Sequence, residues 1–182
     1  LELRGLPVAV LIDFVHKHGG ILGPAHPCGG KYLSFTNTKR YYKSPELFKR
    51  FDFIEVFNAC ESAESNARAL KLAQKYKKPG IGGSDAHRPN CVGMGYTILP
   101  ERVTCETELI ALIRSKSSVI ETGGSLYGKT TKDKMGKADK ILTYSFWFYN
   151  KAGTIMRKRK RMLNGKIENP VDPIDPIELK YM

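Results

Sequence analysis

An aspartate and a histidine two residues apart, Asp85 and His87, are the clearest candidates for chemistry in this sequence. They follow residues 80–84, an apolar and glycine-rich stretch that predicts a short buried strand. Because residues two apart in an extended chain point to the same side, both side chains would face one point. A carboxylate beside an imidazole suits Zn, Mn, Fe or Mg. The alternative is a surface turn whose Asp and His contact nothing.

Two further predicted strands end in polar side chains. Residues 19–27 predict a strand that delivers His26 to its carboxyl end, where a proline stops the ladder. Residues 51–59 predict another strand, which ends in the polar pair Glu55 and Asn58. In parallel α/β barrels, catalytic groups lie at the carboxyl ends of several strands. The order of these segments is typical of that arrangement.

Several of these segments, taken together, resemble the PHP (polymerase and histidinol phosphatase) family of metal-dependent phosphoesterases. The matching stretches, in chain order, are GILGPAHP, FDFIEVFNA, NARALKLAQKY, GIGGSDAHRP and VGMGYTILP. The resemblance covers residues 5 to 122 and is closest to small phosphoesterases that act on nucleotides or short RNA. It implies an α/β fold, namely the second half of a distorted TIM-like (β/α) barrel, with two or three divalent metal ions in the complete domain.

The resemblance also implies roles for individual residues. The expected metal ligands are His26, Asp85 and His87. Arg88 directly follows the ligand pair and is the candidate for binding the phosphate, although it could equally be a surface residue. Glu55 and Asn58 would support the ligands or contact the substrate. Bound metals would activate a water for attack on phosphorus. The expected catalytic residues are therefore Asp85, His87 and Arg88.

The family's opening His-x-His strand, with the acidic and His ligands that follow it, would lie before residue 1. We therefore expect a metal-dependent hydrolase whose site is incomplete in this segment. His16-Lys17-His18 imitates the missing motif. However, it ends a helix predicted over residues 6–18, and residues two apart on a helix lie about 200° apart around the axis. We predict that His16 and His18 are surface or helix-end residues.

Apolar periodicity predicts helices over residues 6–18, 64–77 and 106–115. Strand, helix and strand follow one another from residue 53 to residue 84, which favours parallel pairing with a right-handed crossover. Another strand is predicted over 92–99. Residues 28–43 are polar and aromatic without a period and predict a loop. Its Tyr and Lys/Arg residues would contact a nucleobase or phosphate, or would simply be solvated.

The carboxyl-terminal part of the chain is strongly basic. Residues 1–125 carry 17 Lys+Arg against 12 Asp+Glu, and residues 126–182 carry 13 against 6. We predict the carboxyl-terminal part of a PHP barrel over 1–122 and a basic, aromatic-containing extension over 123–182. An aromatic stretch at 144–149 precedes an unbroken basic run of Arg157, Lys158, Arg159, Lys160 and Arg161. This pattern predicts a nucleic-acid contact with stacking aromatics, or else a solvated tail or hairpin turn.

Composition bears on the class of protein and on its expected location. With 41% hydrophobic and 10% aromatic residues, the chain has a globular balance. No stretch approaches the roughly 18 consecutive apolar residues of a membrane span, so no membrane partner is expected. Four cysteines without C-x-x-C spacing, and the absence of a leader pattern, predict a reduced cytoplasmic protein.

Two functions are consistent with the sequence. The first is a metal-dependent phosphoesterase that hydrolyses a nucleotide, an oligonucleotide or a small phosphorylated metabolite. The alternative is a catalytically inactive, PHP-like nucleic-acid-binding module. Retention of His26, Asp85 and His87 favours the first.

Overall fold

The computed structural model of this chain describes residues 3, 5–30, 34–115, 121–128 and 136–163. The chain divides into two units, of which one comprises Leu1–Gly19 with Thr130–Met182 and the other Gly20–Lys129. The fold is mixed α/β, as predicted. The described residues form five α-helices and four strands, and the strands make two two-stranded sheets rather than a closed barrel.

The parallel sheet of the second unit carries the residues of interest. Strand β1 (Ile54–Asn58) pairs in parallel with β2 (Gly80–Gly83), and helix α3 (Ala63–Tyr76) connects them. The predicted strand–helix–strand order and the parallel pairing are therefore confirmed. The pairing places Asn58 opposite Gly83 at the carboxyl end of both strands, with an irregularity in β1 between Glu55 and Phe57.

Capping residues define both ends of helix α3. The Ser62 hydroxyl oxygen accepts a hydrogen bond from the Ser65 backbone N–H (3.1 Å), which caps the amino end. Lys77, with φ of 51°, ends the helix in the left-handed conformation. The side chains of Ala69 and Ala73 are buried, and α3 packs against β1. Small buried residues let the helix lie close to the sheet.

A second sheet pairs β3 (Gly95–Ile98) with β4 (Glu121–Gly124) in antiparallel fashion. The sequence predicted β3 but not β4. The Thr97 side chain links β2 to β3, because Gly82 N–H donates to Thr97 Oγ1 (2.9 Å) and that hydroxyl donates to the Gly82 carbonyl (2.8 Å). Helix α4 (Glu106–Arg114) follows, as predicted, with two buried apolar residues in its last turns.

Residues 19–27 do not form the strand predicted for them. The Leu22 N–H donates to Asp52 Oδ2, and the Asp52 N–H donates to the Leu22 carbonyl. Both hydrogen bonds are 2.8 Å long. The Leu22 N–H thus binds the Asp52 carboxylate instead of a main-chain carbonyl of a neighbouring strand. The segment therefore does not continue as a strand. Residues 35–43, predicted as loop, contain a 3₁₀ turn (Phe35–Asn37) and the short helix α2 (Lys39–Lys43). A further 3₁₀ helix, Pro45–Arg50, follows Ser44.

An aromatic cluster explains why this region is ordered. The fully buried Phe48 contacts the rings of Phe35 and Phe51 edge to face, with centroids 5.1 and 5.8 Å away. The Tyr76 ring of α3 stacks on it at 5.3 Å. Sequence periodicity could not reveal this cluster, since its members come from three separate segments.

The first unit contains α1 (Val8–Lys17) and α5 (Lys137–Leu163). Helix α1 confirms the prediction for the His-x-His imitation, because His16 lies in its last turn and His18 is its carboxyl-terminal cap. Helix α5 contains both the aromatic stretch and the basic run. None of the helices in the described part of the chain has the length and apolar character of a transmembrane span.

Candidate metal centre

Three potential metal ligands meet beside the carboxyl ends of β1 and β2: Cys60, Asp85 and His87. One ligand atom from each lies within 4.8 Å of the other two. Cys60 comes two residues after β1, and Asp85 comes two residues after β2. Since the two strands are parallel, their carboxyl ends lie at the same edge, and the residues that follow them converge.

The backbone after β2 sets the orientation of Asp85 and His87. Asp85 has φ of 49°, in the left-handed region that Asp tolerates better than most residues. His87 Nδ1 lies 2.8 Å from the Asp85 carbonyl oxygen and 3.9 Å from the Asp85 carboxylate Oδ1. Because a carbonyl only accepts, Nδ1 carries the proton, which leaves the Nε2 lone pair available to a metal.

Tyr127 fixes the same stretch of backbone from the chain beyond β4. Its hydroxyl lies 2.8 Å from the Ser84 carbonyl and 2.7 Å from the Asp85 carbonyl. Burial, followed by the hydrogen bond to the Cys60 thiol, raises the pKa of Tyr127 above its ordinary value. The Tyr127 N–H also donates to the Ala59 carbonyl (2.9 Å). Tyr127 therefore joins the loop after β1 to the loop after β2.

Cys60 is the ligand candidate that the sequence did not identify. Its side chain is buried, and its N–H donates to Asn58 Oδ1 (2.9 Å). Cysteine spacing gave no signal, because no second cysteine lies near it in the sequence. The available signal was its position directly after a predicted strand, at the same edge as the Asp-x-His pair.

Glu55 and Asn58 position the loop that contains His26. The Glu55 carboxylate Oε2 accepts hydrogen bonds from the His26 N–H and from the Asn58 side-chain amide (3.1 Å). Residues three apart on a regular strand point to opposite faces. The irregularity between Glu55 and Phe57 shifts the alternation, so that these two side chains meet.

Asn58 is buried and its polar groups are bonded within the protein. Asn66 of α3 accepts from the Asn58 N–H (3.0 Å) and donates to its carbonyl (3.1 Å). These contacts describe a residue that supports the site. The contact of Glu55 and Asn58 with a substrate stays a prediction.

His26 and Arg88 do not belong to the cluster of Cys60, Asp85 and His87, although Arg88 directly follows His87 in the sequence. His26 has φ of 29°, and its Nδ1 lies 3.5 Å from the Ser34 hydroxyl. Arg88 is exposed and precedes a short 3₁₀ turn, Pro89–Cys91. The metal-ligand role of His26 and the phosphate-binding role of Arg88 stay predictions.

The clustered donors fit a divalent metal of the zinc type. A thiolate and an imidazole are typical ligands of zinc, whereas magnesium prefers oxygen ligands alone. Three protein ligands are also the usual number in catalytic zinc sites, which keep a further position for water or substrate. The chemistry of the donor set thus favours zinc over magnesium at these three residues.

Replacing Tyr127 with Phe removes the hydroxyl that contacts two main-chain carbonyls. We expect the free energy of unfolding to fall by about 1–2 kcal/mol, because part-buried acceptors lose their donor. Urea denaturation measures this change. Tyr149→Phe is the control, since Tyr149 is 75% exposed, and it should leave stability unchanged. Equal stabilities for Tyr127→Phe and the unmodified protein would contradict the bridging role.

Comparison with known families gives a match to part of this chain. Residues 63–118 match the PHP-associated family, and this segment runs from α3 through β2, Asp85 and His87 to α4. No curated protein and no solved structure matches the chain significantly. The family match confirms the resemblance seen in the sequence and supports identification of this chain as a carboxyl-terminal portion of a PHP protein.

Proposed function

We propose that this chain is part of a metal-dependent phosphoesterase. The observation that carries the proposal is the convergence of Cys60, Asp85 and His87 at one edge of the parallel sheet. It is supported by the PHP-associated match over 63–118, because PHP proteins are generally metal-dependent hydrolases. The proposed reaction is hydrolysis of a phosphate ester of a nucleotide, an oligonucleotide or a small metabolite.

A divalent metal held by Cys60, Asp85 and His87 would supply a water of lowered pKa and would polarise a phosphoryl oxygen. The protein's own task is to keep these donors in place. Tyr127 holds the backbone of Asp85 through its hydroxyl. The exposed guanidinium of Arg88, next to His87, is suited to a charge-assisted contact with a phosphate oxygen.

The complete domain would extend this arrangement. We propose that β1 and β2 belong to a distorted TIM-like barrel and that His26 is a ligand of a second or third metal there. Glu55 supports this role, because its carboxylate fixes the His26 backbone on the loop beside β1. Zn, Mn and Fe are the ions that such mixed ligands accept most readily.

Asp85→Ala and His87→Ala, each made in the complete protein, should lower hydrolysis of a phosphoester substrate by on the order of 100-fold or more, because each removes a metal ligand. Initial rates with a chromogenic phosphate ester measure the effect. His18→Ala is the control, since His18 caps α1 and belongs to no metal cluster of the described residues. Undiminished turnover in either site variant would exclude the assignment.

A nucleic-acid-binding module without activity is the second candidate, and helix α5 favours it. Its side chains Phe146, Trp147, Phe148 and Tyr149 are between 43% and 75% exposed. The helix carries eight Lys and Arg residues against one acid, Asp139. The Lys151 ammonium lies 4.7 Å from the centre of the Trp147 ring. Exposed aromatic rings among cations are what single-stranded nucleic acids bind.

Replacing the basic run Arg157, Lys158, Arg159, Lys160 and Arg161 with glutamines should weaken binding of single-stranded RNA. The slope of log affinity against log salt should fall by about 0.7 for each phosphate that the variant no longer neutralises. Fluorescence anisotropy at several salt concentrations measures both quantities. The control replaces four cations elsewhere, namely Lys17, Lys49, Lys77 and Arg102. The same decrease in slope per charge in both variants would show that the run has no special role.

A further inference from the structure

An open pocket of about 360 Å³ lies between α2, α3 and the loop that follows His26. None of the three clustered metal-ligand candidates lines it. Its volume falls within the usual range of small-molecule sites. The residues that line it include Cys28, Tyr41, Tyr42, Arg68, Lys71 and Lys75. No acidic side chain occurs among the described residues that form its walls.

One wall of the pocket is cationic. Arg68, Lys71 and Lys75 are spaced three and four residues apart on α3, so they lie on one face of the helix. All three are exposed. Glu64, one turn before Arg68, interacts with it electrostatically but does not line the pocket. The face therefore presents an excess of positive charge to an occupant.

The cationic wall is joined to the loop of His26. Arg68 Nη2 donates to the Cys28 carbonyl oxygen (2.7 Å), which holds the guanidinium against that loop. Cys28 is two residues after His26. An anion bound to this wall would thus lie beside the loop that carries a predicted metal ligand. The Lys71 ammonium forms no hydrogen bond or ion pair with the described residues and is free to contact such an anion.

The part of the lining that α2 contributes is aromatic. The Tyr41 ring is fixed edge to face against Phe35 and Phe48, with centroids 6.3 and 5.6 Å away. The Tyr42 ring lies 5.6 Å from Tyr41 and is 75% exposed. An exposed ring beside an anchored one offers a stacking surface for a flat aromatic group.

We propose that this pocket binds a nucleoside phosphate, with its base against Tyr42 and its phosphate on Lys71 and Arg68. Cations bind the phosphate through charge-assisted hydrogen bonds, and the tyrosine stacks on the base. A ligand that carries both an anion and a flat ring satisfies the two walls together. As the substrate class of a phosphoesterase, this assignment rests on the proposed function. The nucleoside phosphate is either a free nucleotide or the end of an oligonucleotide.

Isothermal titration of the whole chain, with EDTA present, tests the pocket directly. We expect adenosine 5′-phosphate to bind at least tenfold more tightly than either adenosine or inorganic phosphate alone. Lys71→Glu and Tyr42→Ala should each weaken its binding roughly tenfold, the effect of removing one charged or stacking interaction. The matched controls Arg102→Glu and Tyr96→Ala alter an exposed cation and an exposed tyrosine outside the pocket and should have no effect.

A 5′-phosphorylated tetranucleotide distinguishes the two sources. If the tetranucleotide binds more tightly than adenosine 5′-phosphate, the site is assigned to the end of an oligonucleotide. If it binds equally or more weakly, the site is assigned to a free nucleotide. Both assignments require that Lys71→Glu and Tyr42→Ala weaken the binding of the ligand concerned. Unchanged affinity in Lys71→Glu and Tyr42→Ala would overturn the proposal, as would a decrease confined to Tyr96→Ala. Since binding is measured without metal or turnover, this result is independent of whether the complete protein hydrolyses phosphoesters.

Discussion

The parallel pairing of β1 with β2 is the constraint on which the candidate site depends. It places Asn58 opposite Gly83, so the chain leaves both strands at one edge and brings Cys60 toward Asp85 and His87. The pairing is tight at this point. A Cβ on Gly83 would lie 2.8 Å from Glu55 Oε1, closer than atoms of these types approach without displacement. Gly83 thus leaves room for the Glu55 carboxylate, which orders the neighbouring loop.

Two of the predicted ligands occupy backbone conformations that cost energy. His26 and Asp85 both have positive φ, a conformation that costs a non-glycine residue on the order of 1–3 kcal/mol. In each case a side chain from another segment holds the backbone. Glu55 accepts from the His26 N–H, and the Tyr127 hydroxyl contacts the Asp85 carbonyl. Such support is what a site needs when its donors must be in place before a ligand arrives.

Local sequence patterns were sufficient for the β1–α3–β2 unit, since apolar strands, a capped helix and a tight glycine stretch are all encoded within about 30 residues. Local patterns did not predict the features that depend on contacts between residues far apart in the sequence. Cys60 becomes a ligand candidate only when β2 lies beside β1, and Tyr127 contacts Asp85 from 42 residues away. Residues 19–27 were predicted as a strand, but the Asp52 carboxylate accepts the hydrogen bond from the Leu22 N–H that a neighbouring strand would otherwise accept. These outcomes depend on tertiary neighbours that no local pattern contains.

The central claim is that Cys60, Asp85 and His87 together bind one divalent ion, and X-ray absorption spectroscopy of the zinc-loaded chain tests it most directly. The arrangement predicts one sulfur ligand at about 2.3 Å and nitrogen or oxygen ligands at about 2.0–2.2 Å. The sulfur contribution should disappear in Cys60→Ser and persist in Cys105→Ser, which alters the exposed cysteine. A zinc spectrum without sulfur in the unmodified protein, or one unchanged by Cys60→Ser, would contradict the account.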